Sequence, residues 1–160
     1  MLFVDLLARW AHVGAAIVLM GGTIFTRYVL MPAAKELPAD QHDALRARIR
    51  ATWSRVVSIG ILLLLLSGFY NFFTKSIPQH KGDGLYHALM GTKILIAFVV
   101  FFLASVLTGR SPKFESWRQQ PAKWLTILIL LSAVTAGIGS FLKVRGGKPT
   151  LVMVPTATAE

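Results

Sequence analysis

Four long apolar segments dominate this chain and restrict what it can fold into. Residues 10–26 and 56–74 contain no Asp, Glu, Lys or Arg, and residues 84–109 and 124–142 contain only one such residue, Lys93. Each segment is close to the roughly 20 residues that an α-helix needs to cross about 30 Å of hydrocarbon. The pattern therefore predicts an all-α integral membrane protein, a four-helix bundle with up-down topology.

The same segments set the expected domain limits. We expect one transmembrane domain over residues 1–145, with spans at about 6–27, 54–74, 84–109 and 123–143, followed by a flexible C-terminal tail over residues 146–160. A cleaved signal peptide is the competing interpretation of the first segment. We favour a true span, because the only charged residue among the first eight is Asp5, whereas a signal peptide begins with a basic region. Pro38 and Asp40 predict a helix start that continues without a break into the second span.

The placement of the basic residues predicts the environment of the chain. The formal net charge is +10, but Lys and Arg lie at the ends of the apolar segments rather than on one folded face, so no nucleic-acid partner is expected. Ten of them fall in the first and third connections and six on the opposite side. The positive-inside rule then predicts a multi-pass cell-membrane protein, in contact with the lipid bilayer, whose two termini lie outside the cytoplasm. Because the chain has no cysteine, disulfides, thiolate catalysis and iron–sulfur clusters are excluded.

Lys93 is the strongest signal of function within the spans. A charged side chain at the centre of a membrane helix costs about 2.5–3.5 kcal/mol on insertion scales and is expected to face a partner or a cavity. Lys93 lies nine residues after Gly84, or roughly 14 Å into the membrane. The alternative is that its long side chain snorkels to the outer surface.

Two histidines form a second signal, because spans one and three run parallel in an up-down bundle. His12 and His87 then lie at similar depth in the outer half, and we expect them to converge with Lys93 in one pocket. Paired imidazoles can bind copper or the axial positions of a haem. The alternative is that both histidines are interfacial residues whose polar tips lie among the headgroups.

Residues near the histidines refine this hypothesis. Met90, three residues after His87, adds a thioether, which favours copper over zinc or magnesium. Tyr86 shares a helix face with Met90 and Lys93, and Asn71 lies one turn after Ser67, so both are candidates for hydrogen bonds around a bound group. In the loops, the outer histidine could capture a metal ion, whereas the cytoplasmic one is expected to be a surface residue; these are His80 and His42.

Small residues recur along the fourth span and predict close helix packing. Ser132, Ala136 and Ser140 follow one another at intervals of four residues. Such a stripe lets helix backbones approach closely. It could pack inside the bundle or form the contact of a homodimer.

Three stretches of the chain resemble the CopD-type copper-resistance membrane domain. That family has a His-containing first span ending in Gly-Gly, a span closing with Ser/Thr-Gly-x-Tyr-Asn, and a Tyr-x6-Lys span followed by a basic residue. The corresponding stretches here are residues 10–32, 53–73 and 86–110, with matches at His12, Gly21, Gly22, Ser67, Gly68, Tyr70, Asn71, Tyr86, Lys93 and Arg110. The resemblance implies transfer of copper across or within the membrane. From the residues themselves, we expect the metal site to include His12, His87 and Met90.

A more distant resemblance leads to the alternative function. The HemJ-type membrane protoporphyrinogen oxidase also has a histidine in its first span and a lysine in a later one, and it binds haem b. Its histidine stands two residues before the lysine, whereas His87 stands six residues before Lys93. This resemblance implies a haem b-binding oxidoreductase or electron carrier, with Lys93 paired to a tetrapyrrole carboxylate. A structural membrane subunit without a ligand is the third hypothesis.

Overall fold

The computed structural model describes residues 2–146, which form helices and connecting loops without a β-strand. The helices are α1 (Leu2–Ala34), α2 (Ala39–Gln79), α3 (Gly84–Thr108), the short α4 (Glu115–Arg118) and α5 (Pro121–Arg145). Within this part of the chain, α1, α2, α3 and α5 are long and apolar enough to cross a membrane. The predicted all-α, four-span membrane bundle is thus confirmed. The predicted tail lies outside the described residues from residue 147 onward.

The helix boundaries agree with most of the sequence signals. Helix α2 begins directly after Pro38 and is α-helical to Asn71, so the predicted continuous extension of the second span is confirmed. Helix α3 begins at Gly84, where the carboxylate of Asp83 accepts a hydrogen bond from the Tyr86 amide at 3.1 Å. This is the usual way in which an aspartate satisfies a free amide in a first turn. Helix α1 already begins at Leu2, four residues before the expected start of its span.

Two π-helical turns interrupt α1 and α2, and each lies next to a proline. They are Thr26–Leu30, just before Pro32, and Phe72–Ser76, just before Pro78. A proline ring clashes with the carbonyl four residues earlier in a regular α-helix. The wider π turn accommodates this clash, because the Met31 and Ile77 amides bond to carbonyls five residues earlier.

The spans pack as a ring in which α1 contacts α2, α2 contacts α3, α3 contacts α5, and α5 contacts α1. Glycines allow the closest approach, between α1 and α2. A Cβ atom on Gly22 would lie 2.1 Å from the Trp53 ring, and one on Gly60 would lie 2.8 Å from Leu19. In contrast, nothing lies within 4 Å of a Cβ atom on Gly137, which is on the small-residue face of α5. The packing of that face inside the bundle is not seen in the described part of the chain, and the homodimer stays a prediction.

We call the end of the bundle that holds Leu2 and Arg145 the terminal end, and the end that holds the α1–α2 and α3–α5 connections the basic end. The side chain of Arg118 organises the basic end, with only 2% of it exposed. Its guanidinium donates to the carbonyls of Val106 and Ser111 and to the Glu115 carboxylate, at 2.7 Å for the last. Because the last carbonyls of a helix lack helical partners, Arg118 in effect caps α3. The pairing also lowers the pKa of the Glu115 carboxyl below its usual range.

Candidate ligand site between the first and third spans

His12 lies on the inner side of α1 and is held by α2. Its Nδ1 lies 2.9 Å from the Oγ atom of Ser67, which is buried. The Ser67 hydroxyl in turn donates to the Leu63 carbonyl one turn earlier, and the Asn71 amide donates to the Ser67 carbonyl at 2.8 Å. Gly68 keeps this contact close, since a Cβ atom there would lie 3.4 Å from the His12 ring.

This chain of hydrogen bonds fixes the tautomer of His12. The single hydroxyl proton of Ser67 is used on the Leu63 carbonyl, so the Oγ atom accepts from His12 and Nδ1 carries the proton. The other ring nitrogen, Nε2, then keeps its lone pair. Histidines that bind metals in proteins show this arrangement, with one nitrogen donating to a fixed acceptor and the other free to coordinate.

Lys93 on α3 extends toward the interior of the bundle and is half-buried. Its ammonium is close enough to the His12 imidazole to interact with it electrostatically. On its other side is α5, where a Cβ atom on Gly139 would lie 3.1 Å from Nζ. Within residues 2–146, no carboxylate forms an ion pair with Lys93. Among the described residues, the Lys93 ammonium and the His12 imidazole are thus within electrostatic range of each other, without an anion to balance the charge.

His87 lies elsewhere, in a cluster at the terminal end. It is exposed, and its Nε2 donates to the His80 carbonyl at 3.0 Å. The His80 ring stacks on Tyr86, with ring centroids 3.5 Å apart, and its Nδ1 donates to the Ser76 carbonyl at 3.1 Å. Each imidazole thus has one nitrogen fixed on a carbonyl and the other free. Tyr86 itself is buried and packs against both rings, whereas Met90 lies one turn deeper and is half-buried.

The candidate residues therefore form two clusters rather than one. We name them the His12–Lys93 site (His12, Ser67, Asn71 and Lys93) and the His80–His87 cluster (His80, Tyr86 and His87). In the described part of the chain, no hydrogen bond or ring contact joins His12 to His87. The expected convergence of both histidines with Lys93 is not seen there, because His87 lies on a different side of α3 from Lys93.

Two polar contacts at the terminal end were not predicted from the sequence. Asp5 accepts hydrogen bonds from the Tyr70 hydroxyl at 2.9 Å and from the Lys75 ammonium at 2.8 Å, which joins α1 to the end of α2. Asp83 forms an ion pair with Arg145 at 3.1 Å, which joins the start of α3 to the end of α5. Both carboxylates lie next to the boundary of a span. That position in the sequence could have indicated ion pairs that join helices.

The donor chemistry of the two clusters differs. The predicted copper ligands His12 and His87 belong to different clusters and Met90 to neither, and copper binding by these three residues stays a prediction. No group of three His, Cys, Asp or Glu suited to a metal occurs among residues 2–146. The His12–Lys93 site instead suits a group with one open coordination position and a carboxylate. Comparisons with protein-family models, curated proteins and solved structures give no match for this chain.

Proposed function

We propose that this multi-pass membrane protein binds a b-type haem at the His12–Lys93 site and acts as an oxidoreductase or electron carrier. One observation carries the proposal. Among the described residues, the half-buried ammonium of Lys93 has no carboxylate partner and interacts electrostatically with His12, whose hydrogen bond to Ser67 leaves Nε2 free. Haem iron takes an axial imidazole, and haem propionates are carboxylates that an ammonium attracts at low dielectric.

Each residue of the site then has a distinct role. His12 would supply a nitrogen ligand to the iron, while Ser67 orients the ring and holds the proton on Nδ1. Lys93 pairs with a carboxylate of the tetrapyrrole, which compensates the cost of keeping its charge in the membrane. Gly68 and Gly139 have no side chain, which lets the His12 ring pack closely against α2 and the Lys93 ammonium against α5. The bound haem would supply one-electron redox chemistry.

Copper binding is the second candidate, and the His80–His87 cluster favours it. Two imidazoles there are each fixed by a carbonyl and each retain one free nitrogen, and Met90 lies one turn deeper on α3. A site of two histidines with a thioether suits copper. In this case the cluster captures the ion at the membrane surface, and the Lys93 ammonium lies below it.

The orientation of the chain is part of the proposal. By sequence, ten Lys and Arg residues lie between the first and second or between the third and fourth apolar segments, at the basic end, and six lie in the remaining flanks of the segments. We infer from the positive-inside rule that the basic end faces the cytoplasm of a cell membrane. The His80–His87 cluster then opens to the outside.

An absorption spectrum and a copper analysis of the full chain, purified in detergent, test the two candidates together. We expect a Soret band, and we expect His12→Ala to lower the bound haem about tenfold or more, because the axial nitrogen is lost. His42→Ala, a change in a histidine at the basic end, is the matched control and should leave the band intact.

Other results would change the assignment. A colourless protein that contains copper, and loses it in His87→Ala but not in His12→Ala, would contradict the haem proposal and support the second candidate. A protein that holds neither haem nor copper would contradict both and leave a structural role.

A further inference from the structure

A cavity at the basic end stands apart from both clusters described above. It lies between the end of α1 and the start of α5 and has a volume of about 490 Å³. Three cationic side chains line it, Arg27 from α1, Lys35 directly after α1 and Lys123 from α5, and none of its lining residues is acidic. It is thus a concave site with a concentrated positive charge.

The side chain of Arg27 is held in place in this cavity by hydrogen bonds. Its Nε donates to the Ala122 carbonyl and to the Thr126 hydroxyl, both at 3.1 Å, which fixes the guanidinium against the first turn of α5. Among the residues that the structure describes, no hydrogen bond uses its terminal nitrogens. Those nitrogens are the donors that suit the oxygens of a phosphate.

The depth of the cavity corresponds to the membrane surface. Arg27 directly follows the uncharged residues 10–26, and Lys123 directly precedes residues 124–142. The guanidinium carbon of Arg27 lies 5.2 Å from the centroid of the Tyr28 ring, and Lys123 Nζ lies 5.8 Å from that of Trp124. Tyrosine and tryptophan concentrate at the level of lipid headgroups.

The rest of the lining is apolar or uncharged, which favours a lipid over a small soluble anion. Met31, Pro32, Pro121 and Ala122 line the cavity together with the three cations. A free phosphate would use only the cations, whereas a phospholipid also presents glycerol and acyl carbons to the apolar part. Basic pockets between membrane helices on the cytoplasmic side are known to hold anionic headgroups.

We propose that this cavity binds the phosphate-bearing headgroup of an anionic phospholipid such as phosphatidylglycerol. The terminal nitrogens of Arg27 bind the phosphate, Lys35 and Lys123 contribute attraction from the rim, and the apolar residues contact the glycerol region. The bound lipid joins the end of α1 to the start of α5. This inference does not depend on the haem or copper proposals.

Native mass spectrometry of the full chain, titrated in detergent with phosphatidylglycerol or phosphatidylcholine, tests the proposal. The double variant Lys35→Gln/Lys123→Gln removes two cations from the cavity and keeps the packing of Arg27. Because one basic residue near an anionic membrane surface changes affinity about fivefold, we expect phosphatidylglycerol affinity to fall about 25-fold. The matched control Arg48→Gln/Lys113→Gln removes the same charge from the basic end but outside this cavity, and it should lower the affinity by less than about threefold.

Three results would overturn the proposal. The first is equal retention of the two lipids by the unaltered chain. The second is an equal loss of phosphatidylglycerol affinity in the cavity variant and its control, which would show general charge attraction. The third is displacement of phosphatidylglycerol by inorganic phosphate at matched concentration, which would make the cavity a free-phosphate site. Circular dichroism of each variant confirms that its helices are retained.

Discussion

Replacing Arg118 by leucine is expected to lower the free energy of unfolding by about 2–4 kcal/mol, because it leaves the buried Val106 carbonyl without its donor and removes the bond to the Ser111 carbonyl. The guanidinium is 2% exposed and donates to the Val106 and Ser111 carbonyls at the end of α3. Leucine fills part of the volume but donates nothing. Unfolding of the purified protein by titration with a denaturing detergent measures the change.

The matched variant Glu115→Gln separates the carbonyl bonds from the ion pair. The Glu115 side chain is 54% exposed, so solvent screens its attraction to Arg118, and we expect this variant to lose much less stability than Arg118→Leu. Equal losses in Arg118→Leu and Glu115→Gln would contradict the view that the buried carbonyl bonds stabilise the basic end.

The second large effect concerns the contact between α1 and α2. A Cβ atom on Gly22 would lie 2.1 Å from the Trp53 ring, so Gly22→Leu must displace either the indole or the helix. We expect a loss of about 1–3 kcal/mol in the free energy of unfolding, which is typical of overpacking. The same detergent titration measures it.

The neighbouring glycine provides the matched control for this variant. Nothing lies within 4 Å of a Cβ atom on Gly21, so Gly21→Leu should change the stability by less than about 0.5 kcal/mol. Adding Trp53→Ala to Gly22→Leu should recover part of the loss, because the two side chains then no longer compete for space. If Gly21→Leu and Gly22→Leu destabilise equally, the close packing of Gly22 against Trp53 is not the cause.

The spans could be predicted from the sequence because hydrocarbon thickness sets their length. Uncharged runs of this length, such as residues 56–74, predict membrane-crossing helices. Few other structures satisfy the backbone hydrogen bonds inside a membrane. The rotation of each helix was harder to predict. Gly21 and Gly22 are chemically identical and adjacent, yet only Gly22 meets Trp53, and this depends on how α1 turns toward α2.

His87 is separate from the His12–Lys93 site for a related reason, which the spacing of residues along α3 already indicates. At about 100° per residue, Tyr86 and Lys93 share a face of α3, whereas His87 lies roughly 120° away from Lys93 around the helix. Tyr86 is buried and Lys93 extends toward α5, so His87 points aside and is exposed. The predicted pairing of His12 with His87 rested on their similar depth in the membrane. Depth does not fix the direction in which each side chain points around its helix.

The role of Arg118 could not be predicted from composition. Arg118 is one of ten basic residues that lie between the apolar segments at the basic end. Such residues indicate the orientation of the chain in the membrane, not a specific contact. Only the fold of the α3–α5 connection brings its guanidinium back to the Val106 carbonyl, twelve residues earlier. The burial of such an arginine depends on how the loop folds back, and no periodic pattern in the sequence predicts loop geometry.

The haem content of Lys93→Met, compared with that of His87→Ala, tests the central claim most directly. The claim is that Lys93 and His12 form the ligand site, while His87 belongs to another cluster. Lys93 forms no ion pair among residues 2–146, so removing its ammonium leaves no opposite charge unpaired there, and a loss of haem in Lys93→Met would not reflect unfolding. We predict that Lys93→Met lowers the Soret absorbance per protein about fivefold or more, and that His87→Ala leaves it unchanged. The reverse result, with haem kept in Lys93→Met and lost in His87→Ala, would contradict the account.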